Sequence, residues 1–161
     1  MSAILHEDQV FRLIGAAQAA YARCIDDHGA QGWPDFFDTQ CLYVVTTADN
    51  HRRGLAAGLI YADSQGMLKD RISALNDANI YERHSYRHIL GQPAIGTIDG
   101  DLVAVETAFL VARIMRTGET TIFASGRYLD VYRVNGEQVL LRERIVVCDS
   151  NRIDTLMALP L

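Results

Sequence analysis

The sequence has 161 residues, a formal net charge of −5 and 49% apolar side chains. A chain of this size buries about two thirds of its unfolded surface around one core, and its apolar content excludes a disordered polypeptide. The acidic balance, with arginines and the single lysine Lys69 scattered among acids, disfavours a nucleic-acid partner.

No apolar run approaches the ~18 residues of a bilayer crossing, and Met1 to Gln9 lacks the basic and apolar regions of an export signal. The expectation is a soluble, cytoplasmic protein without a membrane partner. Cys24, Cys41 and Cys148 are odd in number and scattered, with no C-x-x-C, and read as small core residues in a reducing compartment. With no linker, repeat or low-complexity stretch, residues 1–161 read as one domain.

From His6 to His28, Val10, Leu13, Ile14, Ala17, Tyr21, Cys24 and Ile25 recur at helical spacing, and Gly29 is a natural residue to end the helix. Trp33-Pro34-Asp35-Phe36-Phe37 reads as a short helical turn with Pro34 near its first position. Cys41 to Thr47 is β-branched and aromatic, hence a strand. The pattern breaks over residues 54–58. Asp63 can then cap a helix whose Met67, Leu68, Ile72 and Leu75 share a face, ending in the run Asn76-Asp77-Ala78-Asn79.

Four long segments follow between Ser85 and Ser150, divided by Asp99-Gly100, Thr117-Gly118 and Asn135-Gly136, each a tight-hairpin signal. Helices gathered on one face of a curved antiparallel sheet make an α+β fold, and the element order matches the cone-shaped nuclear-transport-factor-like (cystatin-like) architecture. Two-residue loops without bulges would set Phe109 opposite Gly126 and Ala108 opposite Arg127, with Gly126 beside Ile145 and Arg127 beside Arg144.

One face then carries Val103, Val105, Phe109, Val111, Ala124, Ile145 and Val147, a core surface. The other carries Ala104, Ala108, Leu110, Ala112, Val131, Leu140 and Val146 around Glu106, Arg127, Arg142 and Arg144. Charges among small apolar residues fit a subunit interface that pairs them, because an unpaired buried ion costs several kcal/mol. Solvation of this face by water is the alternative, and a bulge at Gly126 would dissolve the cluster.

His84 and His88 stand four apart, but in an extended segment that spacing spans ~13 Å and cannot close on one metal. Asp26, His88, Trp33 and Tyr43 could all meet in the mouth of a cone, where Asp26 and His88 would do general acid/base work on a small cyclic substrate or form a hydrogen-bonded core pair. Dinucleotide, Walker-type, nucleophile-elbow, zinc-protease and iron–sulfur patterns are missing from the sequence, so no cofactor or metal site is expected in this chain.

Residues 54–58 (Gly-Leu-Ala-Ala-Gly), 62–65 and 70–75, the run from Tyr81-Glu82-Arg83-His84 through Gly91, Arg113-Ile114-Met115, Phe123-Ala124-Ser125-Gly126, Tyr128-Leu129-Asp130, and residues 148–161 together resemble the small, or beta, subunit of Rieske-type aromatic-ring-hydroxylating dioxygenases. Within that family the likeness is to the terephthalate dioxygenase branch, and it covers nearly the whole chain from Tyr21 onward.

The resemblance implies a cone-shaped subunit that forms a homotrimer within an alpha3beta3 assembly. The partner large alpha subunit would hold the Rieske [2Fe-2S] cluster and the mononuclear Fe(II) used to cis-dihydroxylate an aromatic acid. This chain would then be a non-catalytic assembly subunit of an oxidoreductase, inactive in isolation. Its expected interface residues are Glu106, Arg127, Arg142, Arg144, Arg83 and Arg87, with Leu159 and Leu161 of the apolar end buried in the assembly. The reading from another class is a stand-alone dehydratase or isomerase using Asp26 and His88.

Overall fold

The computed structural model describes residues 4–55, 58–77, 84–152 and 159–161. Helix α1 spans Glu7–His28 and stops at Gly29, whose φ of 62° is the left-handed conformation that glycine adopts without a Cβ penalty. Six of its seven expected core positions are buried, with Ala17 half-buried. The polar Gln18 is buried as well, because its amide donates to the Thr107 hydroxyl at 2.8 Å.

A 3₁₀ turn at Trp33–Phe36, with Pro34 in its first turn, leads into β1 (Phe37–Thr47), four residues longer at its start than the β-branched run. Two short elements then appear that left no period to read. One is α2 (Ala48–Arg52), capped by the Thr47 hydroxyl on the Asn50 amide, and the other is β2 (Ile60–Ala62), which pairs antiparallel with β1. Helix α3 spans Gln65–Asp77, and the Ser64 hydroxyl, in place of Asp63, accepts its Met67 amide. The expected stop at Ala78-Asn79 lies outside the described residues.

The four-segment meander is five strands: β3 (His84–Leu90), β4 (Ala94–Asp99), β5 (Leu102–Met115), β6 (Thr120–Asn135) and β7 (Gln138–Cys148). The break at Gly91-Gln92-Pro93 divides the first segment in two. Proline cannot donate to a ladder, and both halves pair with β5, which is long enough to serve both. The sheet runs β2-β1-β7-β6-β5-β3, with β4 also on β5. All neighbours are antiparallel except β1 with β7. The result is the expected α+β cone, with α1 against β3, β4 and β7, and α3 against β1 and β2. Among the described residues no helix is long and apolar enough to cross a membrane.

Phe109 lies opposite Gly126 and Ala108 opposite Arg127 as expected, but the hairpin is not the bulge-free two-residue turn: Ile114 pairs with Thr120, and a bulge that leaves Phe123 unmatched brings the later partners back. A Cβ on Gly126 would lie 2.0 Å from the Val147 carbonyl oxygen, so only glycine fits there. The β6–β7 register is not as expected. Its loop is Gly136-Glu137, between the paired Asn135 and Gln138, and a bulge then leaves Arg142 unmatched where Val131 pairs with Glu143 and Tyr132 with Leu141. The later loop moves each partner by two residues and keeps the face; the bulge adds one and flips it. Arg127 therefore lies beside Val147, and Arg144 beside Asp130. Val146 joins the core face, while Ile145 and Val147 belong to the other.

Arg144 is thus an interior residue, its side chain 1% exposed. It grips Asp130 with two bonds, Nε to Oδ1 at 2.9 Å and Nη2 to Oδ2 at 2.8 Å, and Nη2 also donates to the Tyr132 hydroxyl at 3.1 Å. Its guanidinium lies between two rings, 3.8 Å from the Tyr128 centroid and 4.2 Å from that of Tyr21. Burial pushes the Asp130 carboxyl up from its ordinary value, against the pull of Arg144. The carboxylate in turn holds Arg144 firmly protonated.

Next to this pair, Trp33 packs edge-on against Phe37 and Tyr43, with ring centroids 5.4 and 5.0 Å apart. Leu161 closes the layer with no exposed surface. Its main-chain oxygen accepts from the hydroxyls of Tyr21 at 2.8 Å and Tyr43 at 3.1 Å, and its amide donates back to Tyr43. Trp33 Nε1 donates to Tyr21, so each hydroxyl both gives and accepts one bond. Leu159 is also buried in this core. The two leucines expected at a subunit interface are core residues of their own chain, because the aromatic layer supplies the apolar cover and the hydrogen bonds that this end needs.

Three measurements check this account. Leu161→Ala should lower the stability of the isolated chain in urea unfolding by about 2–5 kcal/mol; a side chain buried only against a partner would leave the isolated chain unchanged. Arg144→Met should cost about 3–5 kcal/mol by stranding a buried carboxylate, and pairing it with Asp130→Leu should recover much of that loss.

Burial raises the pKa of Tyr21, Tyr43, Tyr128 and Tyr132 above 10.0. The stability these phenols contribute is therefore complete below pH 10 and is lost as pH rises toward their folded values. Phenolate absorbance should show these four titrating together with unfolding, and separate reversible titration at pH 10 in the folded chain would contradict their burial.

Candidate functional site

Residues directly opposite one another share a face, so the outer side of the sheet can be read in rows. Arg87, Ala112 and Ile122 form one row, and Ile89, Leu110 and Ser125 the next. Ala108, Arg127 and Val147 follow, then Ala94, Glu106, Leu129 and Ile145, and lastly Ala104, Val131 and Glu143. Nearly every uncharged position here is small or aliphatic. The strands alternate because their other face is taken by the core, and this one is left with apolar side chains that no polar pattern accounts for.

The charges on this face are fewer and less concentrated than a common register for Arg127 and Arg144 would make them. Arg127 Nη1 pairs with Glu106 Oε1 at 3.4 Å, both side chains about half exposed. Arg142, at the bulge, reaches Asp38 at 3.9 Å, and Arg133 reaches the same carboxylate at 3.1 Å. Arg144 is absent from the face, as its register requires. Arg87 sits at the far edge, 58% exposed, and reaches Asp27 at 3.5 Å and Asp26 at 3.9 Å. Arg83 lies outside the described residues.

A cleft of about 420 Å3 opens on this surface, lined by Ala94, Ala104, Leu129 and Val131 with Glu106 and Glu143. Sequence reasoning missed both the cleft and Glu143. The signal was available in the alternation of β7, which places Glu143 opposite in facing to Arg144, but only once the bulge is known.

Asp26 and His88 do meet. Asp26 Oδ2 accepts the His88 main-chain N–H at 2.8 Å, and Oδ1 lies 2.7 Å from Nδ1. With side chains 3% and 0% exposed, however, the pair reaches no solvent and does not line the outer-face cleft. A general base must touch its substrate. The geometry instead fastens the last turn of α1 to β3 by both backbone and side chain, and the catalytic alternative for Asp26 and His88 is corrected on that ground. Trp33 and Tyr43, its expected companions, lie in the separate aromatic layer around Leu161.

His84 and His88 fall on one face of the extended β3 with Tyr86 between them, its ring 5.2 and 6.2 Å from theirs. Among the described residues no three His, Cys, Asp or Glu side chains converge as a metal site would require. The cysteines Cys24, Cys41 and Cys148 are buried and free, and burial pushes the Cys148 thiol up to about 12. That leaves it protonated and unreactive near neutrality.

Among the described residues, the features open to a partner lie on the outer surface of the sheet. A family model described as "Ring hydroxylating beta subunit" matches residues 20–155. Subunit beta 2 of the terminal oxygenase component of terephthalate 1,2-dioxygenase, from a Comamonas species, is 57% identical over 148 residues, covering 92% of this chain and 96% of its own. The small subunit of anthranilate 1,2-dioxygenase from Burkholderia cepacia is 30% identical, over 89% of each chain.

Among solved structures, a beta subunit assigned to an aromatic-ring-hydroxylating dioxygenase of Novosphingobium aromaticivorans superposes with a TM-score of 0.89 at 38% identity, over 96% of this chain and 98% of that one. On the match to the family model, the 57% identity and the shared fold together, the chain belongs to the beta-subunit family of the aromatic-ring-hydroxylating dioxygenases.

Proposed function

We propose that this chain is the non-catalytic assembly subunit of a multicomponent dioxygenase that cis-dihydroxylates an aromatic acid in the cytoplasm. Its partner is a large alpha subunit that carries the Rieske cluster and the mononuclear iron, and three copies of this chain join three of that subunit. The observation that carries the reading is the outer face of β5 to β7, a band of small aliphatic side chains crossed by the Arg127–Glu106 pair. Such a surface is poorly served by water and well served by a protein partner.

The division of labour follows from the side chains. A Rieske centre takes two cysteines and two histidines, and a non-haem iron takes two histidines and a carboxylate with open positions. Here the cysteines are dispersed in the core and His88 is committed to Asp26. Electron transfer and oxygen activation belong to the companion chain. The relatives act on terephthalate and anthranilate by name, which supports an aromatic carboxylic acid as the substrate of the whole enzyme.

The test is co-expression with a large alpha subunit of a ring-hydroxylating dioxygenase from the same source, followed by mass measurement of the purified complex. A stable particle containing both chains is expected, with turnover absent from the small chain alone. Arg127→Ala and Glu106→Ala should each speed dissociation by more than the effect of a solvated pair, which is worth at most about 1 kcal/mol. A small chain that never joins a fully assembled, active large subunit would overturn the reading.

A further inference from the structure

A segment inside a core is ordinarily fastened by the backbone of its neighbours in a helix or sheet. Leu161 is not. Among the described residues its main-chain oxygen and amide bond only to side-chain hydroxyls, those of Tyr21 and Tyr43. Residues 159–161 belong to no helix or strand, yet all three are buried, and Leu161 has no exposed surface.

The walls around Leu161 come from the other end of the chain. Tyr21 is on α1, Trp33 in the 3₁₀ turn, and Phe37 and Tyr43 on β1; Tyr43 is 118 residues from Leu161 and Tyr21 is 140. The rings brace one another edge-on, with Trp33 5.4 Å from Phe37 and 5.0 Å from Tyr43, and Phe37 5.9 Å from Tyr43. Trp33 Nε1 donates to the Tyr21 oxygen at 2.9 Å, which leaves the Tyr21 proton for Leu161. Two phenol protons thus converge on one carbonyl oxygen, a phenol oxygen receives one N–H, and an aromatic socket encloses an isobutyl group. Mostly apolar walls with a few placed polar groups are the makeup of a small-molecule site.

We propose that the space between α1, the 3₁₀ turn and β1 is a binding site for a leucyl amide unit, filled here by the chain's own Leu161. The contacts are those a ligand would make, and the chain supplies the ligand in cis. This inference is independent of the assembly reading. Tethering gives Leu161 an effective concentration on the order of millimolar, so a free molecule with the same groups competes poorly while Leu161 is in place. Weakening the tethered occupant should open the site by degrees. Leu161→Ala removes the isobutyl group and keeps the main-chain bonds, whereas Leu161→Asp puts a carboxylate into an apolar layer and expels the segment.

The experiment titrates N-acetyl-leucinamide into the full-length chain and the two full-length variants. Fluorescence of Trp33, the single tryptophan, reports occupancy, and the thermal midpoint gives a second measure. Apparent affinity should rise at least about tenfold from wild type to Leu161→Ala, and further in Leu161→Asp. N-acetyl-alaninamide should bind at least about tenfold more weakly, for want of the isobutyl group. Adding Tyr43→Phe to either variant removes both of that phenol's bonds to the probe and should cost about tenfold more.

A folded Leu161→Ala chain that binds the probe no better than wild type would overturn the proposal, and this comparison decides it alone if Leu161→Asp does not fold. Equal binding of the leucyl and alanyl probes would also overturn it. So would binding that Tyr43→Phe leaves unchanged, since the probe would then sit elsewhere on the chain.

Discussion

The pairing of Arg144 with Asp130 is the constraint on which the rest of the sheet depends. Two charged groups are withdrawn from water at the centre of β6 and β7, and their desolvation is offset only while both bonds, the Tyr132 contact and the flanking rings are all in place. A slip of β7 by one residue would turn Arg144 to the outer face and leave Asp130 alone inside. Hydrophobic burial alone discriminates weakly here, because Val146 and Val147 are both acceptable in a core. The ion pair makes the wrong register expensive, and a register role of this kind is a better-attested use of a buried charge than stability itself.

That register has consequences beyond the two strands. Tyr21 reaches from α1 to cover the guanidinium, and its hydroxyl is the one that holds Leu161 and accepts from Trp33. Helix, 3₁₀ turn, first strand and chain end therefore meet at one polar point inside an apolar layer. Each hydroxyl proton has one acceptor, and the arrangement leaves Tyr21 and Tyr43 no other way to be satisfied. Asp26 does the equivalent at the far end of α1, so the helix is tied to the sheet at two places, one among the aromatics and one through β3.

How much of this was legible in the sequence depended on the range of the interaction that fixes each part. The bounds of α1 were readable because apolar spacing and Gly29 are local signals. The β5–β6 partners of Phe109 and Ala108 came out as expected only because two departures cancel: the turn is one residue longer than a two-residue loop, with Ile114 paired to Thr120, and a bulge at Phe123 restores the later partners. The β6–β7 register was not readable, since a single bulge at Arg142 is invisible to period counting and reverses every facing beyond it. A physical signal did exist. Gly126 opposite Phe109 places Tyr128, Asp130 and Tyr132 together on the core side, and a carboxylate between two core tyrosines demands a cation. Arg144 was the residue able to answer it, and the same argument would have moved it off the outer face. The elements α2 and β2, the parallel pairing of β1 with β7, and the destination of Leu159 and Leu161 are set by contacts more than a hundred residues apart in the chain, or by runs too short to show a period.

The interior arrangement also explains why function should reside on the outside. A curved sheet backed by helices encloses a volume that can receive a small molecule, and general acid/base groups such as Asp26 and His88 at its wall would suit such a use. In this chain the enclosed layer is filled by Trp33, Phe37, Tyr21, Tyr43 and Leu161, with their polar atoms spent on one another, and Asp26 joins α1 to β3 through the Nδ1 and main-chain N–H of His88. A substrate would have to displace a buried leucine and leave two phenols without an acceptor. On the opposite surface, aliphatic rows and a cleft edged by Glu106 and Glu143 face outward. The same strands thus separate two tasks: their inner face fixes the register by a buried charge pair, and that register decides which side chains the outer face presents to another protein.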